Sequence, residues 1–130
     1  SDPVKRKFYN FSITAPLKTA LKEKKFSLFQ GGEKKKFEEA TGYFKEGVDL
    51  YDSNKMSSLL KFQQAYGTYK ISEAVYNIGV IYSMTISKKE EAIRAFKEAS
   101  KLEPENINYV RTLDKYVEMM REVERMMKLM

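Results

Sequence analysis

The sequence predicts an all-α chain built from helix hairpins. Three observations carry this. Apolar residues recur at spacings of three and four over most of the chain from residue 37 onward. Glycine and proline are few, six and three, and several stand where such a stretch begins or ends. The apolar pattern of one stretch also returns 34 residues later.

Residues 1–12 contain Asp2-Pro3, the basic triplet Lys5-Arg6-Lys7 and the aromatics Phe8, Tyr9 and Phe11 without a sustained period, and they read as an arm. A first helix is expected from Ala15, with Pro16 in its first turn, Leu17, Ala20, Leu21 and Leu28 near helical spacing, and Gly31-Gly32 as its stop. A second helix starts at Glu33 and places Phe37, Ala40, Phe44, Gly47 and Tyr51 on one face before Asp52-Ser53-Asn54 breaks it. A third spans about 55–66, carries Leu59, Phe62, Ala65 and Tyr66, and ends at Gly67-Thr68.

Ser72 is the expected cap of a fourth helix, with Ile71 and Tyr76 as a hydrophobic staple and Val75, Ile78, Gly79 and Tyr82 on the apolar face. Ser87 and Glu90 have capping-box spacing for a fifth, which buries Ala92, Ala95, Phe96, Ala99 and Leu102. Pro104 opens a long last helix, about 105–130. Along it Tyr109, Leu113, Tyr116, Met120, Val123, Met127 and Met130 form a heptad seam. The organisation is one globular domain: a basic arm and helix over 1–36, two helix pairs over 37–104, and an amphipathic terminal helix over 105–130.

Composition narrows the function classes. The 130 residues are 42% hydrophobic and 32% charged, enough apolar matter for a modest core. There is no cysteine and no histidine. Disulfides, thiolate ligands and cysteine nucleophiles are therefore excluded, together with the usual base of a hydrolytic triad and the commonest transition-metal ligand. Glu90-Glu91 and Glu103 with Glu105 read as charges at helix starts rather than catalytic carboxylate pairs. Gly31-Gly32 lacks the spacing and the following Lys-Ser or Lys-Thr of a phosphate loop, and Asn10-Phe11-Ser12 is a glycosylation triplet common by chance. No enzyme, cofactor or metal is expected.

No apolar run approaches the roughly 18 residues of a membrane span. Ser1 rather than Met stands first, which leaves room for a signal, anchor or tag upstream. The compartment is left open, with the cytoplasm weakly preferred. The net charge of +6 is uneven: residues 1–36 carry +7 and the rest −1.

Residues 72–104, SEAVYNIGVIYSMTISKKEEAIRAFKEASKLEP, resemble one tetratricopeptide (TPR) repeat, with Ile78-Gly79, Tyr82, Ala92, Phe96, Ala99 and Pro104 at the family's signature places and Val75 where tryptophan is usual. A degenerate copy covers about 38–71. Phe62 and Ala65 precede Phe96 and Ala99 by 34 residues, and Phe44 and Val48 precede Ile78 and Tyr82 likewise. Lys45 then stands where the glycine belongs, and Gly47 matches only with a two-residue shift, so the register of this copy's first helix stays open. The resemblance implies hairpins stacked into a right-handed superhelix, and an inner surface, lined by the first helix of each pair, that holds a partner's peptide or helix.

By family position the partner-facing residues are Tyr76, Asn77, Val80 and Ser83, with Met84 at the edge, and Tyr43, Glu46 and Asp49 in the first copy. Gly42 and Glu46 replace the residues with which some members clamp a C-terminal carboxylate, so that clamp is not expected. For Tyr76, Val80 and Met84 the competing reading is cover by a neighbouring N-terminal helix. The seam of Leu113, Tyr116, Met120, Val123 and Met127 caps the last repeat in its first half, and residues 123–130 are expected to run past the body, where they either pair with a second copy or enter a further domain. The lysines at 18, 22, 24, 25 and 34–36 form a solvated face or, as the alternative function, recruit the chain to an anionic membrane surface or nucleic acid. Nucleic acid is disfavoured for want of a groove-reading motif, and the membrane ranks below a protein partner.

Overall fold

The computed structural model describes residues 2–130, and among these it contains six α-helices and no strand. They are α1 (Pro3–Thr14), α2 (Gly31–Leu50), α3 (Lys55–Thr68), α4 (Ser72–Tyr82), α5 (Lys89–Leu102) and α6 (Ile107–Lys128). α2 packs on α3 and α4 on α5, forming two hairpins joined through α3 and α4, while α6 lies on α5 and α1 lies on α6.

The hairpins share one contact. A Cβ added at Gly47 would stand 2.6 Å from the Phe62 ring, and one added at Gly79 would stand 2.7 Å from the Phe96 ring. In both, the absent side chain lets the following helix press its phenylalanine against backbone, the close approach that glycine permits. Phe62 and Phe96 are fully buried, and Phe62 meets Phe44 at 5.5 Å between ring centroids. Phe96 is more central: Phe11 of α1, Tyr76 of α4 and Tyr116 of α6 surround it at 6.4, 5.8 and 5.7 Å. Four helices thus meet in one aromatic core.

This contact closes the register question. Gly47, not Lys45, is the counterpart of Gly79, because the connection in the first hairpin (residues 51–54) is shorter than in the second (residues 83–88). Ser58 fixes the shorter hairpin by donating its hydroxyl to the Gly47 carbonyl at 2.6 Å.

The N-terminal region departs from expectation. Residues 3–14 are helical, not an arm: Asp2 caps the first turn by accepting from the Val4 N–H at 2.9 Å, and Pro3 takes the N-terminal position that suits it. Val4, Phe8, Phe11 and Ala15 make an inward stripe, with Phe11 and Ala15 buried. Pro16 ends this helix instead of starting the next, since the residue before a proline is pushed out of the α region; Ala15 lies at φ −127°, ψ 63°. Residues 16–27 are consequently non-helical, and Gly31-Gly32 opens α2 rather than closing a helix before it.

Smaller corrections concern caps. Ile71 stands at the N-cap of α4, and Ser72 is its first residue, with its hydroxyl used elsewhere. Ser87 lies in a 3-10 turn, Ile86–Lys88, and makes no cap to α5. Glu103 closes α5 instead of starting a helix, and α6 begins after Asn106, whose side chain accepts from the Asn108 N–H at 3.1 Å. In the heptad seam Tyr109, Tyr116, Met120 and Val123 are buried and Leu113 is half-buried. Val123 does not run past the body. Only from Met127, through Leu129 and Met130, does the seam side open to solvent.

Candidate protein-binding groove

α4 presents Glu73, Tyr76, Asn77 and Val80 at successive spacings of three, one and three, which places them along one side of the helix. Across Glu73, Tyr76 and Asn77 lies the chain's own irregular segment, residues 16–22. Tyr76 donates its hydroxyl to the Pro16 carbonyl at 3.1 Å. Asn77, wholly buried, accepts from the Lys18 N–H at 2.8 Å and donates to the Lys18 carbonyl at 2.9 Å. Glu73 accepts from the Lys22 N–H at 2.8 Å.

The Asn77 amide offers one residue of backbone the same donor and acceptor that a neighbouring strand would offer, so it grips main chain irrespective of side chain. Burial makes the grip costly to leave half-made, because each group was removed from water to form it. Lys18 extends its ammonium over the rings of Tyr76 and Tyr109, 5.8 and 5.7 Å from their centroids.

At the far end of the segment a polar cluster holds two nearly buried carboxylates together. Ser72 Oγ lies 3.0 Å from Glu73 Oε1, 2.8 Å from Glu103 Oε2 and 3.0 Å from the Tyr109 hydroxyl. Lys22 Nζ pairs with Glu103. Burial alone pushes the Glu103 carboxyl up, but hydrogen bonds from Lys22 and Ser72 outweigh it and leave it below the usual 4.5. Hydrogen bonding to the same carboxylate raises Lys22 above 10.5. One lysine therefore serves both ends of the cluster: its backbone N–H on Glu73 and its ammonium on Glu103.

Of the partner-facing residues expected in the second hairpin, Tyr76, Asn77, Val80 and Ser83 are buried in the folded chain, and Met84 reaches the surface. Ser83 turns its hydroxyl back to the Val80 carbonyl at 2.6 Å. In the first hairpin, Tyr43 and Glu46 face α3: Lys61 sits 5.6 Å from the Tyr43 ring centroid and 2.8 Å from Glu46 Oε2. Asp49 is exposed. With Gly47 matched to Gly79, the first-hairpin counterparts of Tyr76, Asn77 and Val80 become Phe44, Lys45 and Val48. Phe44 and Lys45 line a pocket with residues 19–23 of the same segment. The cover over α4 is thus a non-helical strand of chain, not the N-terminal helix that the sequence suggested.

Glu73 was missed by sequence reasoning, while Ser72, Glu103, Lys18 and Lys22 were given other roles: a helix cap, a charge at a helix start and a basic face. The available signal was Pro16, one residue past an apolar stripe at 4, 8, 11 and 15. Read as a helix stop, it frees the following residues to bind across another element. Among the described residues no group of three metal-ligating side chains occurs, and no helix is long and apolar enough to cross a membrane. No family model matches the chain, and no curated protein or solved structure matches it.

Proposed function

We propose that this chain is a non-catalytic protein-interaction module of the TPR type, in which the first helices of two stacked hairpins line one concave surface that holds a partner's peptide or helix. The observation that carries this reading is the two-point grip of Asn77 on the backbone of Lys18, flanked by Tyr76 on Pro16 and Glu73 on Lys22. A surface that already holds non-helical polypeptide through main-chain bonds has the chemistry to hold another such segment in its place. The repeated glycine–phenylalanine contact adds support, since it gives both hairpins the close packing that the TPR resemblance calls for.

The test is exchange in trans. A labelled peptide with the sequence of residues 15–23 is titrated onto the full chain and onto Lys18→Pro, which deletes the N–H that Asn77 accepts. The variant should bind the peptide about tenfold more tightly than the wild type, the scale of one buried hydrogen bond. Adding Asn77→Ala to that variant should abolish the gain. A correctly folded Lys18→Pro chain that ignores the peptide would remove the basis for a groove that takes a guest.

A further inference from the structure

The two most exposed large apolar side chains of the described chain are neighbours: Leu28 is 99% and Phe29 is 100% exposed. They sit on the 3-10 turn Leu28–Gln30, between the groove-filling segment and α2. Chain mobility does not explain such exposure, because the turn is fastened on both sides. Phe26, just before it, packs against Phe37 of α2 and Tyr69 at 5.6 and 6.2 Å between ring centroids, and these two rings meet each other at 5.6 Å. Lys24 lies 4.5 Å over the Tyr69 ring. Within the turn the Gln30 N–H donates to the Ser27 carbonyl at 3.0 Å, and the Ser27 N–H donates to Gln30 Oε1 at 3.3 Å.

The surroundings are basic. Between residues 24 and 36 the sequence has five lysines and one acidic residue, Glu33. Lys25, Lys34, Lys35 and Lys36 are exposed and enter no ion pair among the described residues. On the α2 side the lysine run is followed by Glu38 and Glu39, also exposed, so the positive field is concentrated at the turn and fades along the helix.

We propose that this turn is a membrane-contact wedge, with Leu28 and Phe29 entering the acyl boundary of a bilayer whose anionic headgroups are met by Lys25, Lys34, Lys35 and Lys36. Burying two such side chains is favourable only in an apolar phase, and lysine ammoniums on flexible stems suit a fluid, negatively charged surface. Two protruding side chains present no recess for an incoming helix. A second copy of the chain would bring like-charged turns together. The inference stands independently of the groove, which lies on α4.

The chain has no tryptophan, so Phe29→Trp gives a single reporter at the tip. Vesicles of phosphatidylcholine alone and vesicles also containing phosphatidylserine are titrated with the full chain at physiological salt. The reporter should shift to shorter wavelength and be quenched by brominated acyl chains only with the anionic vesicles. Leu28→Ser with Phe29→Ser should weaken vesicle partition by about tenfold or more while circular dichroism is unchanged, since both side chains lie outside the core. Lys34→Gln, Lys35→Gln and Lys36→Gln should each cost roughly fivefold. The proposal fails if the anionic vesicles are not bound, or if the double serine variant binds them as the wild type does. It fails equally if light scattering shows self-association that this variant abolishes, which would make the turn a contact between copies.

Discussion

α2 and α4 hold corresponding places in the two hairpins, each with a glycine against a phenylalanine of the next helix, yet they are enclosed to very different degrees. Every residue of α4 from 72 to 81 is buried, whereas the twenty residues of α2 bury only Ala40, Phe44 and Gly47. The difference comes from the neighbours. α4 is packed by α3, α5 and the 16–22 segment, and its Tyr76 reaches the aromatic core that α1 and α6 complete; α2 is packed by α3, the Leu28–Gln30 turn, the rings of Phe26 and Tyr69, and part of that segment. Equivalent hairpin geometry therefore does not imply equivalent energetic weight.

The largest test of this asymmetry is truncation of the paired phenylalanines. Phe96→Ala and Phe62→Ala should each cost about 3 to 5 kcal/mol, with Phe96 at the upper end because three further rings lean on it and only one leans on Phe62. Urea unfolding of both variants measures the gap. Equal losses would mean that the two cores carry the same weight.

Filling the glycine contacts is the next step down. Gly79→Ala and Gly47→Ala each force a ring to retreat, at a cost of about 1 to 3 kcal/mol. One ring leans on Phe62 and three lean on Phe96, so a retreating Phe62 disturbs fewer neighbours and Gly47→Ala should be the milder change in thermal melts. A Gly47→Ala chain that melts below Gly79→Ala would reverse the ranking.

The smallest effect is a pH dependence of the polar cluster that joins Lys22 to Glu103. Glu103 is held below its ordinary 4.5, so the stability it contributes is complete above that value and is lost as pH falls through its lower folded value. Lys22 is held above 10.5, so its share is complete below 10.5 and is lost as pH rises beyond. Proteolysis at Lys18 or Lys22 should accelerate in acid before the α2–α3 hairpin is attacked, and Glu103→Gln should flatten that acid limb. Simultaneous cleavage of both regions would detach the cluster from the segment it is proposed to hold.

The helices from residue 31 onward were legible because their apolar spacing is regular and their core phenylalanines repeat. The 34-residue period placed Phe62 opposite Phe96 correctly, but it could not align α2 with α4, because two loops of unequal length separate the aligned helices. The N-terminal region was illegible for a different reason. Its stripe of Val4, Phe8, Phe11 and Ala15 is interleaved with Tyr9 and basic residues, and Pro16 can start a helix or stop one. The family positions pointed to Asn77 and Tyr76 as residues that face a guest; that residues 16–22 of the same chain lie against them depends on contacts 59 and 60 residues apart, which leave no local trace. Ser72 is similar. It has the composition of a cap, and its hydroxyl is instead recruited by Glu103 and Tyr109, far along the chain.

The segment that fills the α4 face is anchored at both ends, by α1 before it and by the pinned turn and α2 after it. Its local concentration at Asn77 is therefore on the order of millimolar or higher, whatever its intrinsic affinity. Under the proposed function, a freely diffusing guest would have to displace it, and the guest's apparent affinity would fall by the fraction of time the site stands vacant. On that proposal, a guest that first loosened residues 23–30 would escape the discount, and occupancy would be governed as much by events at the tether as by complementarity at Asn77.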